Sequence, residues 1–139
     1  MSAELAYIKP GFFMQHVANP IMRRLGPYPV LTVRGRQSGE PRSVPIGEPL
    51  EVDGVRYLVS GRGQTQWARN LRAAGEGELR IRGRSQRFRA VELEGEERER
   101  IVAAYRAKLG HSVDPHFEAI PDPADHPVFR IEPLAAAPA

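Results

Sequence analysis

The sequence predicts a small, mainly β domain: an antiparallel barrel of about six strands with peripheral helices. Two observations carry this reading. Short runs of alternating apolar residues recur between turns rich in Gly, Pro, Asp and Ser. Helical spacing is confined to a few segments, with no repeated strand-helix-strand unit of the kind a doubly wound sheet requires. The 139 residues fit one domain over 1–139, with 1–10 a loose arm and 134–139 a loose tail. A hydrophobic share of 41% and a charged share of 27% are ordinary for a chain that buries a core without staples.

The elements follow in order. Residues 12–25 carry apolar side chains at helical spacing, with Pro20 predicting a break or fresh start near Asn19 and Gly26-Pro27 a stop. Tyr28 to Val33 is strand-like, Arg36 to Pro41 reads as a turn, and Arg42 to Pro49 returns as a strand. Pro45 and Pro49 place that return strand at an edge or bulge, because proline has no N–H for a ladder. Asp53-Gly54 is a tight-turn signal ahead of a strand over Val55 to Val59. Ser60 to Gln64 forms a Gly-rich loop, and Trp67 to Ala74 a short helix. A hairpin pairs Leu79 and Ile81 with Phe88 to Leu93, turning at Gly83-Arg84-Ser85. Residues 95–109 make the clearest helix, with acids in the first turn, an apolar face of Ile101, Val102, Tyr105 and Leu109, and Gly110 past its end. A short helix around 114–120 and a strand over Val128 to Ile131 complete the fold.

Charge is modest in sum but uneven in kind. Lys9 and Lys108 are the only lysines among 20 basic residues, and arginine's planar fork matches phosphate and carboxylate oxygens two at a time. Two segments place arginine beside glycine. In Gly35-Arg36-Gln37-Ser38-Gly39-Glu40-Pro41-Arg42, a hairpin sets Arg36 and Arg42 on facing strand ends beside a turn rich in backbone N–H groups. The plain reading of the same residues is an ordinary turn with two solvated arginines. In Ser60-Gly61-Arg62-Gly63-Gln64, followed by Trp67, Arg69 and Asn70, glycines let backbone approach a ligand and a helix N-terminus follows. There Trp67 either faces a flat ring or anchors the short helix to the barrel.

Together these segments carry a resemblance. Leu31-Thr32-Val33-Arg34-Gly35-Arg36-Gln37-Ser38-Gly39-Glu40-Pro41-Arg42-Ser43-Val44-Pro45, with Ser60…Gly63 and Trp67…Leu71 downstream, is similar to the deazaflavin-dependent nitroreductase family over about Phe12 to Pro133. The resemblance implies a split β-barrel of the FMN-binding type and hydride transfer from a phosphorylated, acidic deazaflavin, coenzyme F420, to a small acceptor: an activated alkene, a quinone or a nitro compound. It implies that Arg36, Gln37, Ser38, Gly39, Pro41 and Arg42 lie in the loop gripping the cofactor's phosphate and oligoglutamate tail. Val44 and Pro45 line the ring; Ser60, Gly61, Arg62 and Gly63 add contacts near the phosphate and side chain. Trp67, Arg69 and Asn70 shape the other wall. The sequence departs from the family in three places. Gln37 stands where Lys is frequent, the loop between Ser60 and Trp67 is short, and the substrate-side tyrosines near the C-terminus have no clear counterpart. Cofactor binding therefore carries over better than substrate choice, and nitro-drug reduction in particular is not assumed.

Other features are assigned to plainer roles. His16, His111, His116 and His126, with Asp114, Asp122 and Asp125, show no metal-ligand spacing, so no metal is expected. His116, His126 and Tyr105 are candidates to protonate an acceptor, and spacing singles out none; His126, before Pro127, reads as a loop residue entering the last strand. Arg80, Arg82, Arg84, Arg87 and Arg89 form a basic hairpin in which only Phe88 interleaves, aimed at the core; a solvated face is expected, not nucleic-acid binding. No signal peptide or membrane span is read, and the absence of cysteine fits a cytoplasmic protein. Weak peripheral membrane attraction through Arg23 and Arg24 and a homodimer are further expectations. Beside the F420 reductase stand an FMN-binding barrel, a non-catalytic deazaflavin or lipid-like carrier, and a nucleic-acid-binding barrel.

Overall fold

Alternating burial along each strand sets which face of the sheet packs inward. The computed structural model describes residues 28–135, so the helical reading of 12–25, His16, and Arg23 and Arg24 lie outside the described residues. The elements are β1 (Val30–Arg34), β2 (Pro41–Pro45), β3 (Leu50–Val52), β4 (Val55–Val59), α1 (Gln66–Ala74), β5 (Glu76–Ile81), β6 (Arg84–Glu92), α2 (Gly95–Leu109), α3 (Asp114–Ala119) and β7 (Val128–Pro133), with short 3₁₀ turns at Gly110–Ser112 and Pro123–Asp125. All strands join one antiparallel sheet in the order β2-β1-β5-β6-β7-β4-β3. Val44 of the first strand in that order packs on the cluster that holds Leu58 of the sixth. The sheet therefore curls on itself while its two edges stay unjoined: a split barrel, the expected class.

Inside the curl sit Leu31, Val33, Leu58, Leu79, Phe88, Phe129 and Ile131, capped by Ala68 and Leu71 of α1. Each large apolar side chain so buried stabilises the fold by about 1.5–3 kcal/mol. A second cluster forms on the other side, where Ile101 and Val102 of α2 meet Leu50, Tyr57, Val113, Phe117 and Val128. Helix α1 is closed at both ends: the Thr65 hydroxyl accepts from the Ala68 N–H, and Gly75, at φ 75°, donates to the Leu71 carbonyl.

The structure corrects several boundaries. There are seven strands, because the three residues of β3 pair with β4 across Asp53-Gly54, both at positive φ. Strand β2 stops at Pro45 instead of running to Pro49, and it is an edge strand. The β5–β6 turn is Arg82-Gly83, at φ 50° and 81°, so Arg84 and Ser85 already belong to β6. Helix α2 keeps its expected bounds, but Leu109, expected on its apolar face, is the last residue of the helix and is exposed. Leu134 is not loose: its N–H donates to the Arg87 carbonyl at 2.9 Å. In the basic hairpin, Phe88 is fully buried. Arg82, Arg87 and Arg89 pair with Glu48, Glu76 and Glu132. No helix among the described residues is long and apolar enough to cross a membrane.

Candidate functional site

A cleft of about 1030 Å³ opens where the curled sheet brings β1, β2 and β4 alongside α1 and α2. Of the residues singled out in the sequence, Arg36, Gln37, Ser38, Arg42, Val44, Pro45, Ser60, Gly61, Arg62, Trp67 and Asn70 line it. Four do not. Gly39, at φ 75°, turns the loop and donates to the Gly35 carbonyl. Pro41 pairs with Arg34 at the base of the hairpin. Gly63, at φ 92°, faces Ile120. Arg69 is exposed, one helical position from Asn70 and so turned away from the cleft.

The β1–β2 loop is held by its neighbours. Arg36 sits in the turn itself, not on a strand end. The single side-chain oxygen of buried Asn70 accepts both the Arg36 main-chain N–H (3.1 Å) and its Nη1 (2.8 Å). The same Nη1 also donates to Gln66 Oε1 at 2.9 Å. Arg36 thus fastens the loop to α1. Gly35 fits closely here: a Cβ would lie 2.7 Å from Ser38 Oγ and 3.3 Å from the Glu40 carbonyl, so a side chain would have to displace the Ser38 hydroxyl. By contrast, Arg42 and Arg62 are exposed on the cleft and have no hydrogen-bond or ion-pair partner among the described residues.

The second loop is shaped from within. Buried Ser60 donates its hydroxyl to the Gly63 carbonyl and lies 3.0 Å from Thr65 Oγ1. Its side chain therefore shapes the loop. His126, expected as an ordinary loop residue, is wholly buried. Its Nδ1 lies 3.2 Å from the Ser60 carbonyl and its Nε2 2.6 Å from that of Ile120. Its ring stacks on Phe117 at 4.1 Å, and the Arg106 guanidinium covers Phe117 at 4.5 Å. Trp67 packs on Phe129, ring centroids 6.2 Å apart, which anchors the short helix to the sheet, and it also lines the cleft.

The cleft also takes in Val33 and Gly35 of the quoted motif, and residues that no sequence motif marked: Tyr28, Ile46, Gly47, Val59, Thr65, Gln66 and Val113. Tyr105 and His116, candidates without distinguishing spacing, line it as well. The Tyr105 ring packs on Phe117, 6.3 Å between centroids. Its hydroxyl reaches Gly61 so closely that a Cβ there would stand 2.6 Å from Tyr105 Oη. Burial pushes the Tyr105 phenol above its ordinary value of 10.0. No cluster of His, Asp and Glu among the described residues is arranged to hold a metal ion.

An apolar wall of Val44, Pro45, Ile46 and Trp67, flanked by two guanidinium groups without a partner among the described residues, suits a flat ring carrying an anionic extension. Comparison with known proteins bears on which one. The family model for F420H(2)-dependent quinone reductase matches residues 12–113. Among solved structures, an F420-H2 dependent reductase (FDR-A) is 28% identical, with a TM-score of 0.51 over 77% of this chain and 95% of that one. A structure described as a domain-swapped dimer is 24% identical, with a TM-score of 0.52 over 89% of this chain and 100% of the other. HutZ, the heme storage protein from Vibrio cholerae, shares the fold at 14% identity and a TM-score of 0.57, over 85% of this chain and 91% of its own. No curated protein sequence matches.

Proposed function

Since the chain belongs to the F420H(2)-dependent quinone reductase family and is an F420-dependent oxidoreductase, we propose that its acceptor is a quinone and that the cleft holds cofactor and acceptor together. The observation that carries this reading is the pairing of an apolar wall with Arg42 and Arg62, two cations that nothing else in the described residues neutralises. An anionic tail of phosphate and carboxylates supplies that missing charge, and bidentate contacts to guanidinium are the strong ones. Arg42, Arg62 and the β1–β2 loop would hold the tail; Val44, Pro45 and Trp67 would hold the ring. Asn70 and Gln66 act through Arg36, and Ser60, Thr65 and His126 act through the second loop.

When bound, the reduced cofactor supplies hydride. The chain's own work is to orient, to exclude water and to deliver a proton. Val33, Val44, Ile46 and Val59 line the cleft with apolar surface, which strengthens every charge interaction inside it. A cytoplasmic location and a homodimer belong to the same proposal. The first rests on the cysteine-free composition, the second on the relative described as a dimer.

The test is a parallel titration of the purified protein with oxidised F420 and with FMN, following cofactor fluorescence at two salt concentrations. It is followed by F420H2 oxidation with menadione, a naphthoquinone. Salt-sensitive F420 binding, weak FMN binding and menadione-dependent turnover are expected. FMN binding more tightly than F420, or F420 binding without quinone-dependent oxidation, would overturn the respective part.

A further inference from the structure

The wall of the cleft built from α2 and α3 holds one hydroxyl with no assigned work. The Tyr105 ring is anchored in the second apolar cluster against Phe117. Its hydroxyl leaves that cluster, enters the cleft and meets the loop at Gly61. At Gly61 any side chain would take up the space of the hydroxyl, since a Cβ there would stand 2.6 Å from Tyr105 Oη. The hydroxyl has no hydrogen-bond partner among the described residues. Because burial raises the phenol's pKa, it keeps its proton throughout the neutral range. A protonated donor, fixed by ring packing and without an internal acceptor, is arranged to give a hydrogen bond to something that enters the cleft.

We infer that Tyr105 is the catalytic acid of this enzyme, donating its Oη proton to a carbonyl oxygen of the acceptor. The inference rests on the quinone-reductase reading above. The acceptor gains two electrons and one proton as hydride from the reduced cofactor, which is thereby oxidised. The acceptor's second proton comes from Tyr105: the Oη–H bond breaks, an O–H bond forms on the acceptor, and the phenolate regains a proton from water. The substrate class is therefore a flat acceptor with a carbonyl oxygen that becomes a hydroxyl. Gly61 is a positioning residue in this scheme, because its missing side chain leaves the hydroxyl its place.

Three proteins decide the matter: wild type, Tyr105→Phe, which keeps the ring packing and removes the proton, and Gly61→Ala, which keeps the proton and moves it. F420 affinity is read by fluorescence, menadione binding to the oxidised complex by titration, and menadione reduction by single-turnover oxidation of F420H2 in H2O and D2O. For Tyr105→Phe we expect F420 affinity within about twofold of wild type, weaker menadione binding and a single-turnover rate about a hundredfold lower. We also expect a solvent isotope effect that differs from the wild-type one. Gly61→Ala should lower the rate in the same direction, since its Cβ would stand 2.6 Å from Tyr105 Oη and the packed ring must shift to make room. A Tyr105→Phe rate and menadione affinity equal to wild type overturn the proposal, whatever Gly61→Ala does. If wild type binds F420 yet reduces no quinone, the fault lies in the functional reading and the inference falls with it.

Discussion

Asn70→Leu separates residues that build the site from residues that touch its ligand. Asn70 is buried, and its one side-chain oxygen accepts two bonds from Arg36, at 3.1 Å from the main chain and 2.8 Å from the guanidinium. Leucine fills nearly the same volume and accepts nothing. A neutral main-chain bond contributes about 1 kcal/mol, and a bond from a charged donor about 1.5–3 kcal/mol when buried. Arg36 is only half-buried and retains Gln66, so the second bond is discounted to about 1 kcal/mol. The sum of about 2 kcal/mol corresponds to a Tm drop of roughly 6–8 °C for a domain of this size. The freed loop then presents its competent form only part of the time, which weakens F420 binding by about tenfold. The control is Arg42→Ala. That side chain is exposed and unpartnered, so Tm should stay within about 1 °C while F420 affinity and its salt dependence both fall. Thermal melts and fluorescence titrations measure the two quantities side by side. An Asn70→Leu protein with unchanged Tm and unchanged F420 affinity refutes the claim that Arg36 fastens the loop.

Two further predictions concern buried polar groups. Glu78 is only 4% exposed, and desolvation raises its carboxyl pKa above 4.5, against the opposing effects of a Ser85 hydrogen bond and of Arg87 and Arg80. The folded state thus binds this proton more tightly than the unfolded chain. The ionised group costs stability above the folded pKa, and that cost disappears as pH falls towards 4.5. Glu78→Gln should accordingly melt higher than wild type at pH 7–8, with the gap closing towards pH 4.5 in melts across that range. His126→Leu removes a ring whose two nitrogens face the Ser60 and Ile120 carbonyls. A loss of roughly 3 kcal/mol is expected, read as a Tm drop near 10 °C, together with weaker F420 binding because the Ser60 loop loses its support.

What the sequence made legible was whatever local chemistry decides. Helix α2 was readable to the residue because its acids and apolar spacing lie within the helix and Gly110 stands directly past its end. The Asp53-Gly54 turn was readable because a two-residue reversal needs positive φ at both positions. Arg82 takes the same conformation in the β5–β6 turn against its own preference, so the turn was misplaced by a residue or two. Arg42 and Arg62 were readable as cleft cations. The distinct role of Arg36 was not, since its partners Gln66 and Asn70 lie 30 and 34 residues away. Tyr105 was indistinguishable from two histidines until Gly61, far off in the chain, came into contact with its hydroxyl. His126 resembled a loop residue for the same reason: both carbonyls it faces come from other segments.

The strand order has a thermodynamic corollary. The walls of the cleft come from β1 and β2 at one extreme of the sheet and from β4 near the other, so they meet only once every intervening strand has paired. Partly folded chains and excised fragments that lack the central strands have no half-formed pocket to offer. Ligand and fold are then linked across the whole described domain, and ligand at a hundred times its Kd should raise global stability by about 2.7 kcal/mol. Amide exchange in β5, β6 and β7, strands that contribute nothing to the cleft lining, should slow on saturation by the same factor as exchange in the core residues of β1. Occupancy of this site is in effect a report on the integrity of the entire sheet.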